Sequence, residues 1–231
     1  MTAATGESAS RWRLARSLQR HPSAILLAVQ LLGILSYPLM ENTGTGRALF
    51  GAMSIAVLSL VLWVVNRGST NHWVAWLLAV PSVTLSLLAN LAAMPALLPF
   101  AQALESILYF YAVAGLIRYM LGDMRVTNDE LIAAATTFTL LAWAFAYAYS
   151  ACQAWVPGSF SEVTVPAQPR TWMELLFLSF STLSGVGLSD IVPLTPAARA
   201  LTMLAMFAGV MYIAIVVSRL IALTVLRQQG R

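Results

Sequence analysis

Seven residues in the last third of the chain, Ser184-Gly185-Val186-Gly187-Leu188-Ser189-Asp190, have the makings of a cation-coordinating turn. Two glycines alternate with apolar residues, leaving backbone carbonyl oxygens bare enough to replace an ion's water shell. A Gly-rich stretch of this kind is unstable against lipid. It is tolerated at membrane depth only where it is buried in protein or lines a water-filled path. No other constellation competes with it. Nowhere does the sequence offer a nucleophile, base and orienter as a set, so catalysis is not expected. His21 and His72 have no Cys, Asp or Glu at ligand spacing, and the single cysteine, Cys152, can form neither an intrachain disulfide nor a metal cluster. Neither a metal site nor a cofactor is expected.

The element that must hold this turn directly precedes it. Residues 172–183 form an apolar stretch of about twelve residues, too short to cross a bilayer. Long apolar stretches flank it on both sides. A half-span followed by a Gly-rich return reads as a re-entrant loop. Its helix would turn a partly negative C-terminal end toward the membrane centre, which favours a cation there.

Composition fixes the setting. The chain has 231 residues, 59% hydrophobic and 10% charged. Soluble domains carry about a quarter charged residues, so this chain belongs in a lipid bilayer. Apolar stretches at 22–40, 48–65, 73–94, 100–121, 127–155 and 197–226 predict six spans. The first is expected to remain uncleaved, because no small-residue cleavage site follows it. Polar turns separate the spans, and Thr127 with Glu130 forms a capping-box pattern at the start of the fifth. All thirteen basic residues are Arg. With the N-terminus inside, ten of them lie on the cytoplasmic side, leaving Arg47, Arg170 and Arg199 outside. The positive-inside rule therefore puts both termini in the cytoplasm. Basic residues are not clustered with aromatics, so no nucleic-acid partner is expected. The organisation is a cytoplasmic tail (1–21), four peripheral helices (22–122) and a pore module (123–231).

The run Ser179-Phe180-Ser181-Thr182-Leu183-Ser184-Gly185-Val186-Gly187-Leu188-Ser189-Asp190-Ile191-Val192-Pro193 resembles the pore helix and filter of potassium channels. That family's pattern is T-L-T-T-V-G-Y-G-D-I-x-P. Thr182, Leu183, Val186, Gly187, Asp190, Ile191 and Pro193 match it. Pro196, Arg199 and a long apolar helix containing Gly209 also resemble bacterial members. The resemblance covers roughly residues 128–226. It implies an all-α membrane protein with six transmembrane helices, a re-entrant pore helix and a filter loop, assembled as a homotetramer in a bacterial inner membrane. It implies passive conduction of K⁺ or another monovalent cation, with Ser184 to Asp190 as the ion-binding filter. Asp190 would anchor the filter and concentrate cations, and Gly209 would be the gating hinge. Three positions depart from the pattern. Gly185 replaces a threonine ligand, Leu188 replaces a bracing aromatic, and Ser189 replaces the second glycine. A non-selective channel, or a non-conducting protein that keeps the pore fold, therefore stays open as an alternative.

The remaining spans predict little chemistry. The fourth has no Arg before Arg118, so it lacks the repeated charges of a voltage sensor. Glu105 lies about five residues into it, which places it at the membrane interface. Glu174 opens the half-span, where a carboxylate caps a helix. Any gate is expected in the filter, at Gly209 or at the ends of the inner helix.

Overall fold

The computed structural model describes residues 22–40, 57–61, 72–91, 94–122, 128–162 and 168–229. Among the described residues the fold is carried by helices α1 (Pro22–Met40), α2 (His72–Leu91), α3 (Leu98–Leu121), α4 (Asn128–Trp155), α5 (Trp172–Leu183), α6 (Pro196–Tyr212) and α7 (Ser218–Gln229). A 3₁₀ turn, Pro95–Leu97, joins α2 to α3, and a π turn, Ile213–Val217, joins α6 to α7. Two three-residue strands, β1 (Phe160–Glu162) and β2 (Ile191–Pro193), are the only departure from helix among the described elements. The all-α class expected from the sequence holds.

Among the described residues, three helical segments are long and apolar enough to cross a membrane: Pro95–Leu121, Asp129–Trp155 and Pro196–Val225. Shorter apolar helices cover Ser23–Tyr37, Trp73–Ala89 and Trp172–Leu183. The second predicted span, 48–65, lies outside the described residues except for 57–61, which are helical. The tail and Thr127 also lie outside them.

Local chemistry explains the helix starts. Thr195 caps α6, its hydroxyl accepting the Ala198 N–H at 3.3 Å, and Pro196 takes the first helical position, where no N–H is needed. Pro99 takes the second position of α3, where again no helical N–H is needed. Pro81 sits inside α2 without breaking it.

Helix α4 is the centre of the packing. It touches α1, α3, α5 and α6. Ala133, Ala142, Ala144 and Ala146 are fully buried along it. Lipid is as apolar as a side chain, so helices in a bilayer associate through close packing and hydrogen bonds, and small residues permit the approach. Two hydroxyls seal the contacts. Ser106 of α3 donates to the Ala144 carbonyl at 2.9 Å, and Thr136 donates to the Ser23 carbonyl of α1 at 2.9 Å. Glu105, placed by the sequence at the interface, is buried in protein. It accepts a hydrogen bond from Ser86 of α2 at 3.1 Å.

Candidate functional site

The site begins where α5 is fastened. Thr171 and Glu174 form a capping box: the Thr171 hydroxyl accepts the Glu174 N–H at 3.3 Å, and the Glu174 carboxylate accepts the Thr171 N–H at 2.5 Å. Capping is the role the sequence assigned to Glu174. The side-chain amide of Gln153, near the end of α4, pairs both ways with the Arg170 backbone, at 2.8 and 2.9 Å. Trp172 then packs its ring against Tyr37, Trp143 and Tyr147. Aromatic contacts of this geometry contribute about 0.5–1.5 kcal/mol each beyond area burial. The start of α5 is thus fixed to α1 and α4 before the helix descends.

Its other end is set by α6. A Cβ added to Gly209 would lie 2.0 Å from the backbone oxygen of Leu183 and 2.6 Å from its carbonyl carbon. Only glycine admits this crossing. Gly209 is buried inside the unbroken helix α6, about 20 Å along its axis from Pro196 at the helical rise. The apolar helix continues to Val225. The end of α5 therefore meets this helix near its midpoint, not at either end.

From there the chain turns back. Gly185 and Gly187 have φ of +72° and +69°, left-handed values that cost other residues about 1–2 kcal/mol. The Gly185 N–H bonds to the Thr182 carbonyl at 3.2 Å, and the Gly187 N–H bonds to the Ser181 carbonyl at 3.2 Å. These bonds fold the turn onto the last turn of α5. Val186 and Leu188 stay 70% and 69% exposed. Among the described residues, no hydrogen bond ends on a carbonyl oxygen of Ser184 to Asp190.

The outer limb is tied down differently. The Ser189 hydroxyl accepts the Ile191 N–H at 3.1 Å. Strand β2 pairs antiparallel with β1, Ser161 opposite Val192. The Leu194 N–H bonds to the Ser159 carbonyl at 2.9 Å, and the Arg199 Nε donates to the Pro193 carbonyl at 3.2 Å. Asp190 is exposed, and no hydrogen bond reaches its carboxylate among the described residues. Leu188 lines an open apolar groove with Ile34, Phe177 and Phe180.

The seven predicted turn residues thus lie together between α5 and α6, and Gly209 lies against the residue just before them. Sequence reasoning missed Ser159, Thr195 and the β1–β2 ladder. The Thr195-Pro196 pair carried a capping signal; the ladder carried none.

Residues 135–225, from within α4 to α7, match a family model described as an ion channel. No curated protein and no solved structure matched the chain.

Proposed function

We propose that residues 135–225, which match a family model described as an ion channel, form the pore domain of a channel, and that four copies of the chain surround one passive pathway for monovalent cations, of which potassium is the principal one. The observation that carries the reading is the Gly185–Leu188 turn, held near the midpoint of an apolar helix with carbonyls that no described residue satisfies. One chain supplies one such turn. A cage of carbonyls around an ion needs several, and closed rotational symmetry brings them to one axis.

In this reading the ion sheds water at the exposed turn and passes between the carbonyls of Gly185, Val186, Gly187 and Leu188. The partly negative end of α5 favours it there. Asp190, exposed at the outer rim, concentrates cations without anchoring the loop. Six spans with both termini in the cytoplasm complete the topology. Gating falls on the inner helix at Gly209 and the π turn just beyond it. Gly209 is the contact point, and the π turn, a geometry frequent at functional sites, is the compliant part.

Departures at Gly185 and Leu188 bear on selectivity. Gly185 offers no hydroxyl to the innermost position, and Leu188 faces an open groove and braces nothing. Purified protein in liposomes, with outward gradients of potassium or sodium and a no-gradient control, tests the proposal. Faster potassium flux is the expected result. Equal fluxes would identify a non-selective cation pore, and no flux in either gradient would overturn conduction.

A further inference from the structure

The outer limb of the turn hangs on a part-buried hydroxyl pair, and we propose that Ser159 and Thr195 are positioning residues that set how tightly the turn discriminates between cations. This inference rests on the conduction reading above.

The proton positions follow from the bonding. Ser159 is fully buried. Its hydroxyl has one proton, which goes to the Val156 carbonyl at 2.6 Å. In the 3.0 Å contact between the Ser159 and Thr195 hydroxyls, Thr195 is therefore the donor. The Thr195 oxygen is left to accept the Ala198 N–H that caps α6. The Cys152 thiol adds a weak donor to Ser159 at 3.8 Å. Every proton and the lone pairs used are mutually consistent, and the arrangement has one orientation.

Three elements meet at this pair. Cys152 lies in the last turn of α4 and Val156 directly follows it, Ser159 directly precedes β1, and Thr195 lies between β2 and α6. The Ser159 carbonyl takes the Leu194 N–H directly after β2, so one residue grips the return limb by both its backbone and its side chain. Coordination needs the turn's oxygens fixed relative to the helices. At the inner end α5 and Gly209 supply that. At the outer end Leu188, which replaces the bracing aromatic, lines a groove, and Asp190, the anchor that the resemblance implied, is unbonded among the described residues. The hydroxyl pair and the β ladder occupy that role. Removing one net hydrogen bond changes the population of the held state about fivefold.

The test compares wild type with Ser159→Ala, Thr195→Val and Thr195→Ser in liposomes, reading the potassium-to-sodium flux ratio beside oligomer retention on gel filtration. A second measurement follows backbone amide exchange of the wild-type protein at Leu194 against Val186. The expected result is an intact oligomer whose flux ratio falls about fivefold in the Ala and Val variants. Thr195→Ser should keep the wild-type ratio. Leu194 should exchange far more slowly than Val186. An unchanged ratio in both Ser159→Ala and Thr195→Val, with wild-type flux present, overturns this inference alone, as does a ratio lost equally in Thr195→Ser. If the Ala and Val variants fail to assemble, rapid exchange at Leu194 overturns it and slow exchange supports it. Absence of wild-type flux overturns the conduction reading and this one together.

Discussion

Two long helical stretches, α4 and the α6–α7 rod, differ in how much of them their own chain covers. The window in Asp129–Trp155 is 67% buried, and that in Pro196–Val225 is 28% buried, although the second is the more apolar, with mean hydropathy 2.4 against 1.7. Their surfaces explain the difference. Helix α4 meets α1, α3, α5 and α6, largely through alanines and aromatic rings. The inner rod meets its own chain along one stripe: Ala198, Thr202, Ala205, Gly209, Tyr212, Val216 and Leu220. Those positions recur every three or four residues, as one face of a helix does. Most of them are small. Met203, Phe207, Val210 and Ile213 lie off the stripe and are exposed. One helix is completed within the chain; the other is only half completed and leaves a broad apolar face for whatever surrounds it. The glycines repeat the contrast. Gly209 is jammed against backbone, whereas a Cβ on Gly185 or Gly187 would meet nothing within 4 Å.

That contrast can be broken most forcefully at Gly209. The atoms facing its missing Cβ are backbone, which cannot rotate away as a side chain would. Gly209→Ala should push the inner helix off the end of α5 and lower stability by about 3 kcal/mol or more, at the upper end of overpacking effects. Thermal unfolding in detergent measures it. Gly187→Val should behave in the opposite way. Its neighbourhood is open, so the chain folds and assembles despite a backbone cost of about 1–2 kcal/mol. Ion flux should be abolished, because the turn's oxygens are displaced. A Gly187→Val protein that conducts normally, or a Gly209→Ala protein that melts like wild type, would reverse the assignment of the two glycines.

Much of this arrangement was legible beforehand, for a physical reason. The half-span at 172–183 coincides with α5 because length alone separates a helix that crosses from one that cannot. The turn announced itself through glycines that a positive φ requires at 185 and 187. What stayed hidden depends on distances between segments far apart in sequence. The close approach of Gly209 to the Leu183 backbone could not be read from the sequence, where the glycine stands out only as a break in an apolar helix. The β1–β2 ladder pairs residues some thirty positions apart, with three residues in each strand and no alternation long enough to notice. The π turn at Ile213–Val217 contains neither Gly nor Pro to mark it. Glu105 was assigned by its depth in a span, but its burial is decided by Ser86 on another helix.

A change on the open face sharpens the comparison next. Phe207 is 65% exposed on its own chain. If copies of the chain cover it, Phe207→Ala should leave the fold of each chain intact and weaken assembly by about 3 kcal/mol per subunit, the low end for a buried Phe→Ala change. Gel filtration across a dilution series would show the oligomer dissociating at higher concentration than wild type. An unchanged profile would mean that lipid, and not another copy, lies against this part of the rod.

The smallest effect belongs to the covered stripe. Tyr212 reaches from the inner helix to donate to the Ala134 carbonyl of α4 at 2.6 Å, and it packs against Phe138. Tyr212→Phe keeps the ring and removes only the donor. Hydrogen bonds between membrane helices average about 0.6 kcal/mol, because the separated helices also find partners. The melting temperature should therefore fall slightly, with no change in the oligomer. The variant matters because it tests the covered side without making a cavity. The π turn begins at the very next residue, so loosening this tether should also ease movement of the lower rod. A small loss of stability together with a higher flux would mark Tyr212 as the upper fixed point of that movement. A small loss with unchanged flux would show that the Tyr212 hydrogen bond does not limit that movement.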